Sequence, residues 1–175
     1  MDFNLRFLVD HTYPLVKTAL FLATHNDPER AHEHLVKASK FLTGMGLDEF
    51  LLGQPKRGNQ NYELSNAAGF NKNGDIPPTF LRSLGFDRVV VGTVTGEPWE
   101  GKPRPRIRRY SATGSMVNWM GLPGVGAQEV AETMNDYGDH HIPITINLMA
   151  TPGKSGDDAI KDLEKTVLAT RDLPM

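Results

Sequence analysis

The chain has 175 residues, a formal net charge of −2 and no cysteine. That length fits one domain with a real core, and the interspersed charges offer no basic field to recruit nucleic acid. The missing thiols exclude disulfides, thiolate metal sites and a cysteine nucleophile. The opening "MDFNLRFLVDH" carries acids and an Arg where a signal peptide needs an unbroken apolar segment. No uncharged apolar run approaches the roughly 20 residues that would span a bilayer.

From Tyr13, "YPLVKTALFLAT" sets Leu15, Val16, Ala19, Leu20 and Leu22 on a broad apolar helical face, with Pro14 in the first turn. In "NDPERAHEHLVKASKFLTGMG", Asp27 is the expected N-cap and Pro28 the first helical residue. Ala31, Leu35, Val36, Ala38 and Leu42 then recur at helical spacing before Gly44 and Gly46. Together these predict a helical hairpin over residues 1–46, followed by a Gly-, Pro- and Asn-rich connector over 47–63. Beyond it, "DRVVVGTVT" (87–95) and "PITINLMA" (143–150) read as strands buried on both faces. They alternate with helical segments at "IPPTFLRSLG", "GVGAQEVAETMN" and "GDDAIKDLEKTVLAT". Strand, helix, strand, helix predicts a parallel α/β layer, whose ligands bind at the carboxyl ends of the strands.

Several motifs have bland readings. "GLPGVG" (121–126) spaces its glycines as G-x-x-G-x-G with no strand leading in, so it is no dinucleotide fingerprint. His140 and His141 are adjacent in an extended segment and point to opposite faces, and His32 and His34 are two apart on a helix; neither pair converges on a metal ion. "GKPRPRIRRY" (101–110) concentrates Arg104, Arg106, Arg108 and Arg109, and reads as a solvated loop, though an Arg held by its stiffening prolines could serve an anionic or quinone-like ligand. "NAAGFNKNG" (66–74) is different. Small residues there admit close backbone approach to something flat, and Lys72, flanked by the amides of Asn71 and Asn73, suits something anionic.

"NAAGFNKNG", "GTVTGEPWEGKPRPR" and "SMVNWMGLPGVG" occur in that order. They resemble the "AAGxDKxG", "GTVTPxPxxGNPxPR" and "xINRxGFxNxG" elements of the class 2, quinone-reducing dihydroorotate dehydrogenases. "DPERAH" likewise looks like the "DPExAH" turn of that family's helical N-terminal extension. The resemblance implies the N-terminal part of a (β/α)8 TIM barrel over 64–175, preceded by the helical hairpin. It also implies oxidation of dihydroorotate to orotate with FMN in pyrimidine biosynthesis, electrons passing to a quinone. In such enzymes a serine takes the C5 proton while hydride leaves C6.

By the same resemblance, Ala67, Ala68 and Gly69 would lie on the flavin ring, and Thr93 and Asn147 would contact it. Lys72 would sit beside ring and substrate. Asn118, Trp119, Met120, Gly121 and Leu122 would form the substrate segment, and His32 and Arg109 the polar mouth of a quinone tunnel. The N-terminal helices would dock peripherally on a bacterial inner membrane, from the cytoplasmic side, or on a mitochondrial inner membrane.

The chain departs from the family pattern in places. Asn71 replaces an aspartate expected to pair with Lys72, Trp119 stands for Arg, Leu122 for Phe, and "NLMATPGKS" for "NIGKNK". A full barrel of this kind takes about 250 residues, so residues 64–175 are expected to supply half. The serine base and the phosphate site would follow Met175, in the same or a companion chain. Alone, the chain is expected to be inactive. Two alternatives stay open: a related FMN-dependent barrel oxidoreductase acting on another small anionic substrate, and a non-catalytic half-barrel module that needs a partner chain.

Overall fold

The computed structural model describes residues 18–19, 22–25, 27–48, 62–110, 112–138 and 141–173. Most of the first arm of the expected hairpin, and most of the connector, lie outside these. Its second arm is helix α1 (Pro28–Gly44). Asp27 caps it as the sequence predicts, its carboxylate accepting from Glu29 N at 2.9 Å and Arg30 N at 3.2 Å. Ala31 is buried, and Leu35, Val36 and Leu42 pack on the core, whereas Phe41 and Met45 stay exposed.

A short helix α2 (Pro78–Ser83) precedes strand β1 (Val89–Val94). Strands β2 (Ile107–Tyr110) and β3 (Ser115–Asn118) follow, then helix α3 (Ala127–Asp136), strand β4 (Ile144–Leu148) and helix α4 (Gly156–Thr170). β1 and β4 pair in parallel, Val89 opposite Ile144 and Val91 opposite Ile146. Val89, Val91 and Val94 enter a core with Ile76, Leu81, Val130 and Met134. This is the parallel α/β layer the alternation predicts.

Two expectations are corrected. β4 is not buried on both faces: Thr145, Asn147 and Leu148 are exposed, because among the described residues only β1 pairs with it. The Arg-rich segment is not simply a solvated loop. Its end forms β2, an antiparallel ribbon with β3 in which Arg109 faces Met116 and Ile107 faces Asn118, and Arg106 is buried.

Candidate functional site

The stretch 66–71 lies alongside β1, and two asparagine side chains hold it there. Asn66 mimics a strand neighbour: its amide donates to Val90 O at 2.7 Å and its carbonyl accepts from Val90 N at 2.8 Å. Asn71 does the same toward Ile76, donating to its O at 3.0 Å and accepting from its N at 2.9 Å. Both are buried, so each unpaired group would cost about 1–3 kcal/mol. The amides of Asn71 and Asn73 that flank Lys72 in sequence are both turned to backbone groups. Asn71 is a brace, and Asn73 Oδ1 accepts from Val125 N at 3.4 Å. Asn71 also does not stand in for a lost partner of Lys72, since its side chain is fully engaged by Ile76.

Between the braces, Ala67, Ala68 and Gly69 form an exposed turn at the carboxyl end of β1. Gly69 has φ +90°, and a Cβ built on it meets nothing within 4 Å. Its glycine is demanded by the backbone conformation, and the space over it is open. Gly69 N donates to Gly92 O at 2.6 Å, while Gly92 N donates to Asn71 O at 3.0 Å. Gly92 itself admits no side chain, because a Cβ there would stand 2.2 Å from Asn147 O. The β1–β4 register slips between Val91 and Val94. Such an irregularity re-aims neighbouring side chains, and here Thr93 Oγ1 donates to Asn147 Oδ1 at 2.7 Å. Thr93 and Asn147, far apart in sequence, are thus joined at the strand ends. Gly92 was missed as a site residue. A glycine inside "VVVGTV" was its available signal.

Lys72 follows the turn. It is partly buried and makes no hydrogen bond or ion pair with another described residue. Burial pushes its pKa down from the ordinary lysine value; Glu29 opposes this, and Arg106 and Arg104 reinforce it. An ammonium held among cations and partly dried is suited to meet an anion. It lines a cleft of about 820 Å³ with Glu29, His32, Asn73, Trp99 and Arg106.

His32 projects from α1 into the same cleft. Its ring meets that of Phe70 edge-on, with centroids 5.4 Å apart. Burial, then the charge of Lys72, lower its pKa and favour the neutral imidazole. Arg109 does not line this cleft. It is exposed on β2 and has an interaction within the protein.

The segment 118–122 crosses beside the Arg-rich loop. Trp119 N donates to Arg106 O at 2.9 Å, and Met120 O accepts from Lys102 N at 2.9 Å. Asn118 and Trp119 are exposed, and Leu122 sits at φ +61°. Arg106 fixes this arrangement. Its guanidinium pairs with Glu29 of α1 at 2.7 Å and donates to Glu100 O at 2.7 Å and Lys102 O at 3.1 Å. Arg104 adds a bond to Glu33 at 2.7 Å.

Across the sheet, Asp162 of α4 ties down both post-strand loops. It accepts from Thr151 N at 2.7 Å, Thr151 Oγ1 at 2.8 Å and Gly96 N at 3.2 Å, and pairs with Lys154. Burial alone would raise its pKa, but these donors hold it at about 2. Lys154 is therefore occupied as a clamp. Among the described residues no group of His, Asp or Glu is arranged to hold a metal ion.

The geometry defines a class first: a parallel α/β chain with an open, side-chain-poor turn, a joined Thr–Asn pair and a lysine unpaired among the described residues at its strand ends. Residues 59–170 match the profile of the family described as "Dihydroorotate dehydrogenase", and the chain belongs to that family. It is 33% identical over 174 residues to a dihydroorotate dehydrogenase (quinone) of Acidithiobacillus ferrooxidans, covering 93% of this chain and 46% of that protein. A protein of the same description from Yersinia enterocolitica is 38% identical over 130 residues, covering 70% of this chain and 37% of its own length. The crystal structure of the Eimeria tenella dihydroorotate dehydrogenase in complex with ferulenol superposes with a TM-score of 0.59 at 25% identity, over 81% of this chain and 40% of that one. The chain therefore spans less than half the length of these relatives.

Proposed function

We propose that the chain forms the first half of an FMN-binding TIM barrel that oxidises dihydroorotate to orotate and passes the electrons to a quinone. Half-buried Lys72, without a partner among the described residues and beside the open turn, is the observation that carries this. The residues present fit a flavin. A Cβ built on Gly69 meets nothing within 4 Å, and Thr93 and Asn147 stand together at the strand ends. Ala67, Ala68 and Gly69 would bear on the ring face, and Thr93 and Asn147 on its polar edge. When bound, FMN supplies the acceptor for the substrate's hydride.

This chain's own residues bind and orient. The Lys72 ammonium neutralises the substrate carboxylate, and because it is partly dehydrated the attraction exceeds that between the same charges in water. Asn118 and the 119–122 segment would fix the ring edges, held in place by Arg106. The proton-accepting serine and the phosphate site would come from the remaining half-barrel, in the same or a companion chain. The surface of α4 is consistent with such a neighbour: Asp162, Thr166 and Thr170 are buried inward, whereas Ile160, Val167 and Leu168 are exposed. His32 and Arg109 would mark the quinone approach, with Phe70 beside His32. No helix among the described residues is long and apolar enough to cross a membrane, and we place the contact peripherally, through the N-terminal helices.

Turnover of dihydroorotate with a soluble quinone, compared with fumarate and NAD as acceptors, tests the proposal in the complete barrel. Quinone reduction abolished by Lys72→Met is expected. Turnover with other acceptors only, or unaffected by that change, would overturn it.

A further inference from the structure

Thr93 and Asn147 stand at the ends of two strands whose backbone pairing stops just beyond them. Val94 O accepts from Met149 N at 3.0 Å, and no later backbone–backbone hydrogen bond joins the two loops among the described residues. The pair itself is a single bond, the Thr93 hydroxyl being committed to Asn147 Oδ1. Asn147 Nδ2 keeps two N–H donors with no partner among the described residues. Asn147 is exposed, so this one bond and the course of the strand end aim its amide.

Asp162 sets that course. It reaches in from α4 to points three residues past Thr93 and four past Asn147. One carboxylate oxygen, Oδ2, accepts from Gly96 N in the first loop and from Thr151 N and Oγ1 in the second. Thr151 Oγ1 in turn accepts from Glu97 N at 3.1 Å, a second tie between the loops. The other oxygen takes Lys154. The fit is tight, because a Cβ on Gly96 would stand 2.6 Å from Asp162 Oδ1. Asp162 and Thr151 are both buried. Moving either loop away would strip donors from a buried anion, which is costly. The other buried residues of α4, Thr166 and Thr170, bond within the helix. Docking the helix therefore does not account for the ties that Asp162 makes to both loops.

We propose that Asp162 is a positioning residue for the Thr93–Asn147 pair, aiming the Asn147 amide through Gly96 and Thr151. It deepens, and rests on, the flavin reading above. The polar edge of the ring would meet an amide whose direction is set from α4.

The complete barrel is compared with Asp162→Asn and Thr151→Val, and with Thr151→Ser, which keeps the hydroxyl. Thr170→Val, which breaks a bond inside α4 only, is the control. Two quantities are read: the Asn147 side-chain amide resonance without FMN, and FMN affinity by flavin fluorescence. Asp162→Asn and Thr151→Val should move the resonance and weaken FMN binding about tenfold or more, as loss of an outer partner commonly does. Thr151→Ser should bring both back to the parental values, and Thr170→Val should lower stability alone. An unmoved resonance, or FMN affinity at the parental value, would reduce the clamp to a fastening for α4 and overturn the proposal. So would an equal effect of Thr170→Val. A parent barrel that binds no FMN would sink the flavin reading instead, and the Asn147 resonance would still decide this one.

Discussion

The loop ahead of β1 and the Arg-rich loop behind it are both pinned, but by opposite means. Residues 66–76 are held by neutral amides, Asn66 and Asn71, each closing two bonds onto backbone. Residues 100–106 are held by a buried ion pair between Arg106 and Glu29, reaching across from α1. The first fastening runs from side-chain amides to backbone, and α1 touches this loop only at its margins, through Lys40–Asp75 at 3.1 Å and the His32–Phe70 ring contact. The second makes the 118–122 segment depend on that helix, since Arg106 O also accepts from Trp119 N. In the first loop Asn66 and Asn71, and in the second Arg106, are scaffold. Lys72, which makes no hydrogen bond with another described residue, is the group to which the proposed function gives the chemistry.

Breaking the ionic fastening should have the largest effect. Glu29→Gln leaves a buried guanidinium without its counter-charge, and a loss of about 3–5 kcal/mol is expected in denaturant unfolding. If the 100–106 loop depends on the Glu29–Arg106 pair as described, protease sensitivity should rise more there than at 66–76. Gly92→Ala attacks the amide-braced region instead. A methyl group at 2.2 Å from Asn147 O should cost about 3 kcal/mol and part Thr93 from Asn147, read as altered side-chain amide shifts of Asn147 by NMR.

Acid sharpens the contrast on the far side of the sheet. Asp162 titrates at about 2 when folded, against 3.8 unperturbed. Its unfolded form therefore takes up the proton first. The stability it contributes is fully present above pH 3.8 and is lost as pH falls toward 2. Asp162→Asn should flatten that part of the stability–pH profile. The smallest effect has the opposite sign. Lys72→Met removes a partly dehydrated, unpaired cation and should raise stability by about 0.5–1 kcal/mol while abolishing anion binding. A loss of stability would mean that Lys72 belongs to the scaffold.

Much of the fold was legible. Asp27 and Pro28 announce α1, and the β-branched runs announce β1 and β4, because caps and periodicity act within a few residues. The ribbon was not, since "IRRY" and "SMVN" are too short and polar to show alternation, and their pairing is stabilised by tertiary contacts. The exposure of β4 was equally hidden, because an apolar run does not reveal how many neighbours the strand finds. At the candidate site, Thr93 and Asn147 were named through the family resemblance, and the structure joins them at 2.7 Å. The roles of Asn71 and Arg106 were not legible, because Ile76 and Glu29, the groups that satisfy them, come together only on folding.

Equilibrium titration with FMN, followed by flavin fluorescence in the complete barrel, continuous or assembled from two chains, tests the central claim most directly. Ala67→Val and Ala68→Val add bulk to an exposed turn, so unfolding free energies should stay within about 0.5 kcal/mol of the parent. FMN affinity should fall tenfold or more if the ring lies against that turn. Variants that bind FMN as tightly as the parent would contradict the account.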